Sequence, residues 1–149
     1  MRFALDSNIL VYALIRDDEA KHAVASRILL RSIDLDAVIP AQVVAEYLNV
    51  VRRKHPEYFR TALDQAERWA ETLTILPTTI EDIVNGGEFA LKHRMQLWDA
   101  VIWQVARSAR AALLVSEDLQ DGLSIEGLRV LNPFISGNAD ELDKLLKID

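Results

Sequence analysis

Four acidic side chains lie where short apolar runs end or where the helices after them begin. They are Asp6, Glu46, Asp99 and Asp118. Apolar runs and helical patterns alternate along the chain, which is typical of a mainly parallel sheet. In such sheets the functional crevice lies beyond the carboxyl ends of the strands. The four carboxylates, which come from four separate segments, could therefore meet at one edge of the sheet.

A cluster of this kind would favour a divalent cation. Two carboxylates about 4 Å apart repel each other by roughly 4 kcal/mol at an effective dielectric constant near 20. A group of four would have raised pKa values or would cost stability unless a cation neutralised it. An all-oxygen ligand set suits Mg²⁺ or Mn²⁺, and these ions suit the hydrolysis of phosphodiester bonds. The spacing alone leaves a second interpretation open, in which the acids only cap helices and turns.

Five apolar runs predict the strands of this sheet. They are Arg2–Leu5, Ala37–Ile39, Thr74–Leu76, Ala112–Val115 and Arg129–Leu131. Between the strands, amphipathic patterns and helix-start residues predict helices. These helices span about residues 20–32, 41–54, 56–70, 79–93 and 98–109, with a last one from about 138. The prediction is an α/β fold with a central, mainly parallel five-stranded sheet and helices on both faces.

The helix that carries Asp99 has the clearest pattern in the chain. Its apolar stripe consists of Trp98, Val101, Ile102, Val105, Ala106 and Ala109. This spacing is that of one buried helix face, and Asp99 lies one step away from it. Tryptophan more often fills cores or subunit interfaces than it stacks on bases, so we expect Trp98 in one of those two places.

The composition fits one domain of this kind. The chain has 149 residues, of which 50% are hydrophobic and 27% charged, and it has no cysteine. The length predicts a single domain, and the lack of cysteine excludes disulfide scaffolds, zinc fingers and thiolate nucleophiles. No apolar run approaches the roughly 18–20 residues of a membrane span, and Asp6 comes too early for a signal-peptide core. We therefore expect a cytoplasmic protein that does not enter a membrane.

The net charge argues against a general nucleic-acid binder. Seventeen Lys and Arg residues stand against 23 Asp and Glu residues, which gives a formal net charge of −6. Binding of nucleic acid depends largely on Lys and Arg, which release counterions from the phosphates. A local basic face, or acids that serve as metal ligands, would remove this objection. The candidates for such a face are the run Arg52–His55 and the pair Arg107 and Arg110, each of which could equally be solvated.

The segments around the four acids form a set of motifs. They are Phe3–Leu10 (FALDSNIL), Ile39–Glu46 (IPAQVVAE), Leu97–Ala100 (LWDA) and Leu113–Asp118 (LLVSED). In residue type, order and separation, this set resembles the motifs of PIN-domain proteins, particularly VapC-type toxins of type II toxin–antitoxin systems. Any one motif is unspecific, whereas four in order are specific. The resemblance extends to about Pro133.

The resemblance implies a Rossmann-like PIN domain over residues 1–149, with the motifs in a core of about 1–134 and a helical tail of about 138–149. It implies an endoribonuclease that depends on Mg²⁺ or Mn²⁺ and hydrolyses RNA with a metal-activated water. The implied metal ligands and catalytic residues are Asp6, Glu46, Asp99 and Asp118. The implied supporting residues are Ser7, Asn8 and Ser116, with Asp121 close to the fourth motif. A homodimer and a cognate antitoxin are the implied protein partners.

Three other interpretations deserve comparison. A haloacid-dehalogenase-like phosphatase needs a second aspartate two residues after the first, where this chain has Asn8. A response-regulator receiver domain needs a phosphoacceptor aspartate after the third strand, where this chain has Pro77, Thr78 and Thr79. A non-catalytic PIN-like module that only binds a protein or an RNA is the third, and the presence of all four acids argues against it.

Overall fold

The computed structural model describes residues 1–148, and its centre is a sheet. The strands in the described residues are β1 (Phe3–Leu5), β2 (Ala37–Pro40), β3 (Thr74–Leu76), β4 (Leu113–Val115), β5 (Ser124–Ile125) and β6 (Leu128–Leu131). Their spatial order is β3-β2-β1-β4-β6-β5. All neighbouring pairs are parallel except β5 and β6, which are antiparallel. The expected α/β fold with a mainly parallel sheet is therefore confirmed, with six strands in place of five.

The additional strand, β5, is an edge strand of two residues. It turns back onto β6 through Glu126 and Gly127, which both have positive φ angles. A strand this short carries no hydrophobic periodicity, so the sequence pattern could not indicate it.

The central strand β1 positions the first acid. Each of its residues is fully buried, and it pairs with β2 on one side and β4 on the other. The chain runs from β1 outward to β2 and β3, then crosses back to β4 on the other side of β1. The topological switch point, where α/β sheets form their crevice, thus lies between the carboxyl ends of β1 and β4.

Helices cover the sheet. They are α1 (Ser7–Leu14), α2 (Glu19–Ser32), α3 (Ala41–Lys54), α4 (Phe59–Thr72), α5 (Ile80–His93), α6 (Leu97–Ser108) and α7 (Ala139–Leu145). Short 3₁₀ turns occur at Pro56–Tyr58 and Ser136–Asn138. The predicted bounds of α2, α3, α5 and α6 agree with the structure to within one residue at each end. Helix α1 differs from the prediction, because the sequence pattern predicts no helix over residues 7–14.

Helix α6 is the most deeply packed helix of the site. Its residues 100–106 are all buried, including Trp103, which is fully enclosed. Gly86 of α5 lies so close to α6 that a Cβ atom there would come within 2.8 Å of Val101 Cγ2. Trp98, in contrast, is 63% exposed, so it does not belong to the core of the chain. The first turn of α6 extends beyond the packed part of the helix, which also brings Asp99 towards the surface.

The C-terminal segment packs against the body of the domain. Leu142 and Leu146 are buried, and Arg129 of β6 pairs with Glu141 of α7. The last residue of the predicted tail, Asp149, lies outside the described residues. Within residues 1–148, none of the helices is both long and apolar enough to cross a membrane.

Candidate active site

Asp6 occupies the switch point as the N-cap of α1. Its backbone is extended, and its Oδ1 atom accepts a hydrogen bond of 2.7 Å from the backbone N–H of Ser7. Its Oδ2 atom accepts a second hydrogen bond, also of 2.7 Å, from Oγ of Ser116, which directly follows β4. The side chain is only 4% exposed. The first acid is therefore held between the ends of β1 and β4.

Asn8 connects this acid to Asp118. Its Nδ2 atom lies 3.5 Å from Asp6 Oδ2 and 3.2 Å from Asp118 Oδ2. Its Oδ1 atom accepts a hydrogen bond from the backbone N–H of Glu117, while Oγ of Ser116 accepts one from the backbone N–H of Asp118. Two acids, one amide and one hydroxyl thus form a continuous hydrogen-bonded network.

The charge on Asp6 is poorly compensated by the protein. Burial is the main cause that raises its pKa, and the nearby charges of Asp118 and Glu46 add to the effect. The hydrogen bonds from Ser116 and Ser7 act in the opposite direction, and the resulting pKa is about 6. A carboxylate in this state gains from an added positive charge.

Glu46 and Asp99 approach the same place from two helices. The pKa of Asp99 is raised by burial first, and then by the charges of Glu46 and Asp118. Its carboxylate makes no side-chain hydrogen bond within residues 1–148, whereas Glu46 Oε1 accepts one from Nε2 of Gln42. The same Nε2 atom lies 3.1 Å from the carbonyl oxygen of Trp98, at the start of α6. Gln42 therefore connects Glu46 to the helix of Asp99 through hydrogen bonds.

All four predicted acids thus act on one another electrostatically, yet they do not form a preassembled ion site. In the described part of the chain, no three acidic or histidine side chains stand close enough to hold a metal ion together. The donor chemistry does fit a hard divalent cation, because the ligand set is entirely oxygen and the buried charge of Asp6 lacks a cationic partner.

The sequence matches the PIN domain family over residues 3–120. The chain belongs to the PIN-domain family. Residues 3–120 contain all four acids, and the family is one of nucleases. The sequence-based expectation of the family is therefore confirmed. No curated protein sequence matches the chain significantly.

Solved structures of similar fold come from toxin–antitoxin systems. VapC20 of Mycobacterium tuberculosis, described as a sarcin–ricin loop cleaving toxin, gives a TM-score of 0.66 at 17% identity, over 78% of this chain and 89% of that one. VapBC2 of Rickettsia felis, bound to a DNA fragment from its promoter, gives a TM-score of 0.64 at 22% identity. The match covers 89% of this chain and 98% of that one. DNA-bound VapBC of Salmonella typhimurium gives a TM-score of 0.65 at 17% identity, over 89% of this chain and 98% of that one. At these identities the likeness establishes the fold.

Two clefts, each of about 480 Å³, open beside the acids of this PIN domain. Both reach Asp118. The first extends between α1 and α3 as far as Lys54 and His55, so part of the predicted basic run lies at its far end. The second lies between the end of α5 and the start of α6 and contains Asp99. The clefts give a substrate access to the acids from two directions.

The other predicted supporting groups have different surroundings. Ser7 contributes its backbone N–H to Asp6 and lines the first cleft. Asp121 accepts hydrogen bonds from the backbone of Asn132 and the side chain of Asn138, so it ties the C-terminal segment to the loop after β4 and does not join the four acids. Arg107 pairs with Glu126 at the far end of α6, which removes it from the site.

Sequence reasoning missed a polar cluster that supports the fourth motif. Glu117 accepts hydrogen bonds from Tyr12 at 2.5 Å and from Lys21 at 2.7 Å, while the Lys21 ammonium also lies over the rings of Tyr12 and Phe134. These contacts fix the residue between Ser116 and Asp118. The participants lie up to 122 positions apart in the chain, so their meeting carries no local sequence signal.

Proposed function

We propose that the protein is a divalent-metal-dependent endoribonuclease. The observation that supports this proposal best is the arrangement at the switch point, where Asp6 is buried near the charges of Asp118 and Glu46. Burial, and then these two charges, raise the pKa of Asp6 to about 6. Such a site gains stability from a cation, and its ligand atoms suit Mg²⁺ or Mn²⁺. The PIN family, which is a nuclease family, provides the reaction class.

In this proposal each group has a definite role. Asp6, Glu46, Asp99 and Asp118 hold the ion or ions. Ser116, Asn8 and the backbone N–H of Ser7 keep the carboxylates of the strand ends in place. When bound, the cation supplies an acidified water for attack on phosphorus and neutralises the departing oxygen. The products would carry 5′-phosphate and 3′-hydroxyl ends, and 2′,3′-cyclic phosphate ends would contradict the proposal.

We further propose that the protein is the toxin of a toxin–antitoxin pair and acts in the cytoplasm. The support is its likeness to a VapC toxin and to VapBC toxin–antitoxin complexes. We treat residues 1–149 as one PIN domain, in which the core to about 134 carries the site and the tail from about 138 braces β6 through the Arg129–Glu141 pair.

A homodimer is part of the same proposal. Helix α5 presents an apolar stripe to the surface, formed by Ile80, Ile83, Val84 and Leu91, which are 43–81% exposed. Gly87 lies within this stripe and has open space beside it, so a second helix can approach closely there. Size-exclusion chromatography with light scattering should show a dimer for the wild type and a monomer for Val84→Glu.

The decisive experiment incubates the purified protein with total cellular RNA and Mn²⁺, and maps new ends by sequencing. The comparison variants are Asp6→Asn/Asp99→Asn and, as a matched control, Asp64→Asn, which removes an exposed acid paired with Arg60 on α4. Discrete cuts are expected with the wild type and the control, and none with the double variant or with EDTA. If Mn²⁺ neither supports cutting nor raises Tm, the non-catalytic binding module is the better interpretation.

A further inference from the structure

Arg94 ends α5 in an unusual conformation. Its φ and ψ angles are 52° and 40°, in the left-handed region, and it forms the C-cap of the helix. Glycine is the residue that most often occupies this conformation at a helix end, because a Cβ atom makes it unfavourable. The chain therefore keeps an arginine at a position where glycine would be the more stable choice.

The side chain lies at the candidate active site. Arg94 lines the second cleft together with Asp99 and Asp118. Of the described residues that line this cleft, Arg94 alone carries a permanent positive charge. Within residues 1–148 its guanidinium forms no ion pair and no hydrogen bond with another side chain. The residue thus shares a cleft with two of the acids, and its guanidinium is available to a ligand.

An acidic site needs a cation of this kind to receive a nucleic acid. The net charge of −6 and the four carboxylates repel a polyanion, and the metal ion offsets this only at the reacting phosphate. Other cations are either paired or lie elsewhere, since Arg107 pairs with Glu126 and Lys21 pairs with Glu117. Lys54 lines the first cleft, which contains Asp118 but not Asp99. A guanidinium can bind a phosphate through two parallel hydrogen bonds, which also fixes its orientation.

The geometry points to Arg94 as a substrate-binding residue that holds a backbone phosphate of the RNA beside the reacting one. This inference rests on the proposed ribonuclease function. It assigns the second cleft, between α5 and α6, to the path of the RNA strand. The left-handed turn at Arg94 leads directly into α6, which explains why a cation here stands beside Asp99.

Arg94→Gly tests this inference, and the chain offers a matched control. Arg110 also has a left-handed backbone, with a φ of 62°, but it follows the opposite end of α6, which lies about 14 Å from Asp99 by helical rise. Both glycine variants remove one charge and place glycine where the backbone is left-handed, which removes the unfavourable Cβ contact. Neither should therefore lower Tm. Arg94→Gly should cut total cellular RNA at the same positions but about tenfold or more slowly. Arg110→Gly should cut like the wild type, and Arg94→Lys should recover part of the rate.

The Mn²⁺-induced rise in Tm should be the same in all four proteins, because Arg94 acts on the RNA and not on the metal. If Arg94→Gly cuts at the wild-type rate, or if both glycine variants lose activity equally, the inference is wrong. A lower Tm for Arg94→Gly together with a parallel loss of Mn²⁺ response would indicate a structural role and would also overturn it.

A binding measurement separates this inference from the proposed function. Fluorescence anisotropy of a labelled oligouridylate 20-mer, with Ca²⁺ in place of Mn²⁺, reports contact with phosphates without cleavage. Arg94→Gly should bind more weakly than the wild type and Arg110→Gly, with a salt dependence reduced by about one phosphate contact. This result would support the inference even if the wild type cut no RNA. Equal binding by all three proteins would overturn it even if cleavage were confirmed.

Discussion

The candidate site has two halves that are built differently. The strand half consists of Asp6 and Asp118, which follow β1 and β4 and share a network with Asn8 and Ser116. The helix half consists of Glu46 on α3 and Asp99 on α6, which hydrogen bonds of Gln42 connect. The first half is fixed by neighbouring strand ends, whereas the second depends on how two helices lie. The strand half is therefore held by more hydrogen bonds than the helix half.

Removing one acid from either half should have the largest effect. We expect Asp6→Asn and Asp99→Asn each to lower the rate of RNA cutting by at least about a thousandfold, since a bound cation contributes several kcal/mol to the transition state. Because the acids act as one unit, the double variant should be no worse than either single one. The rates would be compared on total RNA at saturating Mn²⁺. Cutting by Asp99→Asn within tenfold of the wild type would exclude the helix half from the site.

The two halves should also differ in how pH affects the metal-free protein. The pKa of Asp6 in the folded state, about 6, lies above its value of 3.8 in the unfolded chain. The folded state therefore holds this proton more tightly, and the associated stability is complete below pH 3.8 and lost as pH rises through 6. The loss amounts to about 3 kcal/mol by pH 7.5, because one pKa unit corresponds to about 1.4 kcal/mol.

Urea unfolding in EDTA, from pH 4 to pH 7.5, measures this loss. The free energy of unfolding of the wild type should fall relative to that of Asp6→Asn, whose amide does not titrate. Asp99→Asn should keep most of the wild-type decline, because the Asp99 side chain is only half buried and no network surrounds it. Parallel curves for the wild type and Asp6→Asn would show that burial of Asp6 does not destabilise its charge.

Ser116→Ala breaks the strand half without removing an acid. Its fully buried Oγ donates to Asp6 and accepts from Asn8 and from the backbone of Asp118. We expect Mn²⁺ affinity or activity to fall by about 10- to 100-fold. The free energy of unfolding should fall by about 1–3 kcal/mol, since buried partners lose their hydrogen bonds.

Ser32→Ala is the matched control for this variant. Ser32 is equally buried, and its hydroxyl donates to the carbonyl oxygen of Ile28 in α2, outside the site. Its loss should lower stability while the response to Mn²⁺ stays unchanged. An equal loss of metal affinity in both variants would mean that Ser116 acts through general stability alone.

The strand half was also the half that the sequence could predict. Asp6, Asn8, Ser116 and Asp118 lie within a few residues of fully apolar runs, and the ends of neighbouring parallel strands must meet. The expectation that Asp6 and Asp118 lie close together follows from strand ends and topology, whereas the supporting roles of Asn8 and Ser116 come from the resemblance to the PIN-domain motifs. Glu46 and Asp99 are expected at the same edge of the sheet, but the contact through Gln42 depends on how α3 and α6 cross, which is a tertiary property.

The misses have physical causes of the same kind. Gln42 and Arg94 are important because of residues on other segments: Gln42 bonds to the Trp98 carbonyl oxygen, and Arg94 shares a cleft with Asp99 and Asp118. The spacing of residues within one helix does not show such contacts. Trp98 continues the apolar stripe of α6 but lies in a turn that extends past the core, so the core is excluded and a subunit interface stays a prediction. The sequence pattern does not indicate helix α1 because Ile9–Leu14 are apolar without a break, which removes the usual amphipathic signal.

Gln42 offers the mildest way to disturb the helix half. Gln42→Ala removes one donor that spans Glu46 and the carbonyl oxygen of Trp98. A typical hydrogen bond has a net value of about 0.5–1.5 kcal/mol, so we expect the rate of RNA cutting to fall by roughly two- to tenfold. Tm should hardly change, because the side chain is partly exposed.

Gln42→Glu should have the larger effect of the two substitutions. It places a fifth carboxylate beside Glu46 and removes the hydrogen-bond donor. The new charge therefore repels Glu46, whereas alanine only removes the hydrogen bonds. Gln65→Ala, which removes an amide that bonds to Tyr47 outside the site, should leave the rate unchanged. If Gln42→Glu cut RNA faster than Gln42→Ala, the added carboxylate would be acting as a metal ligand. The rate of RNA cutting would then be limited by the number of carboxylate ligands in the helix half and not by the position of Glu46.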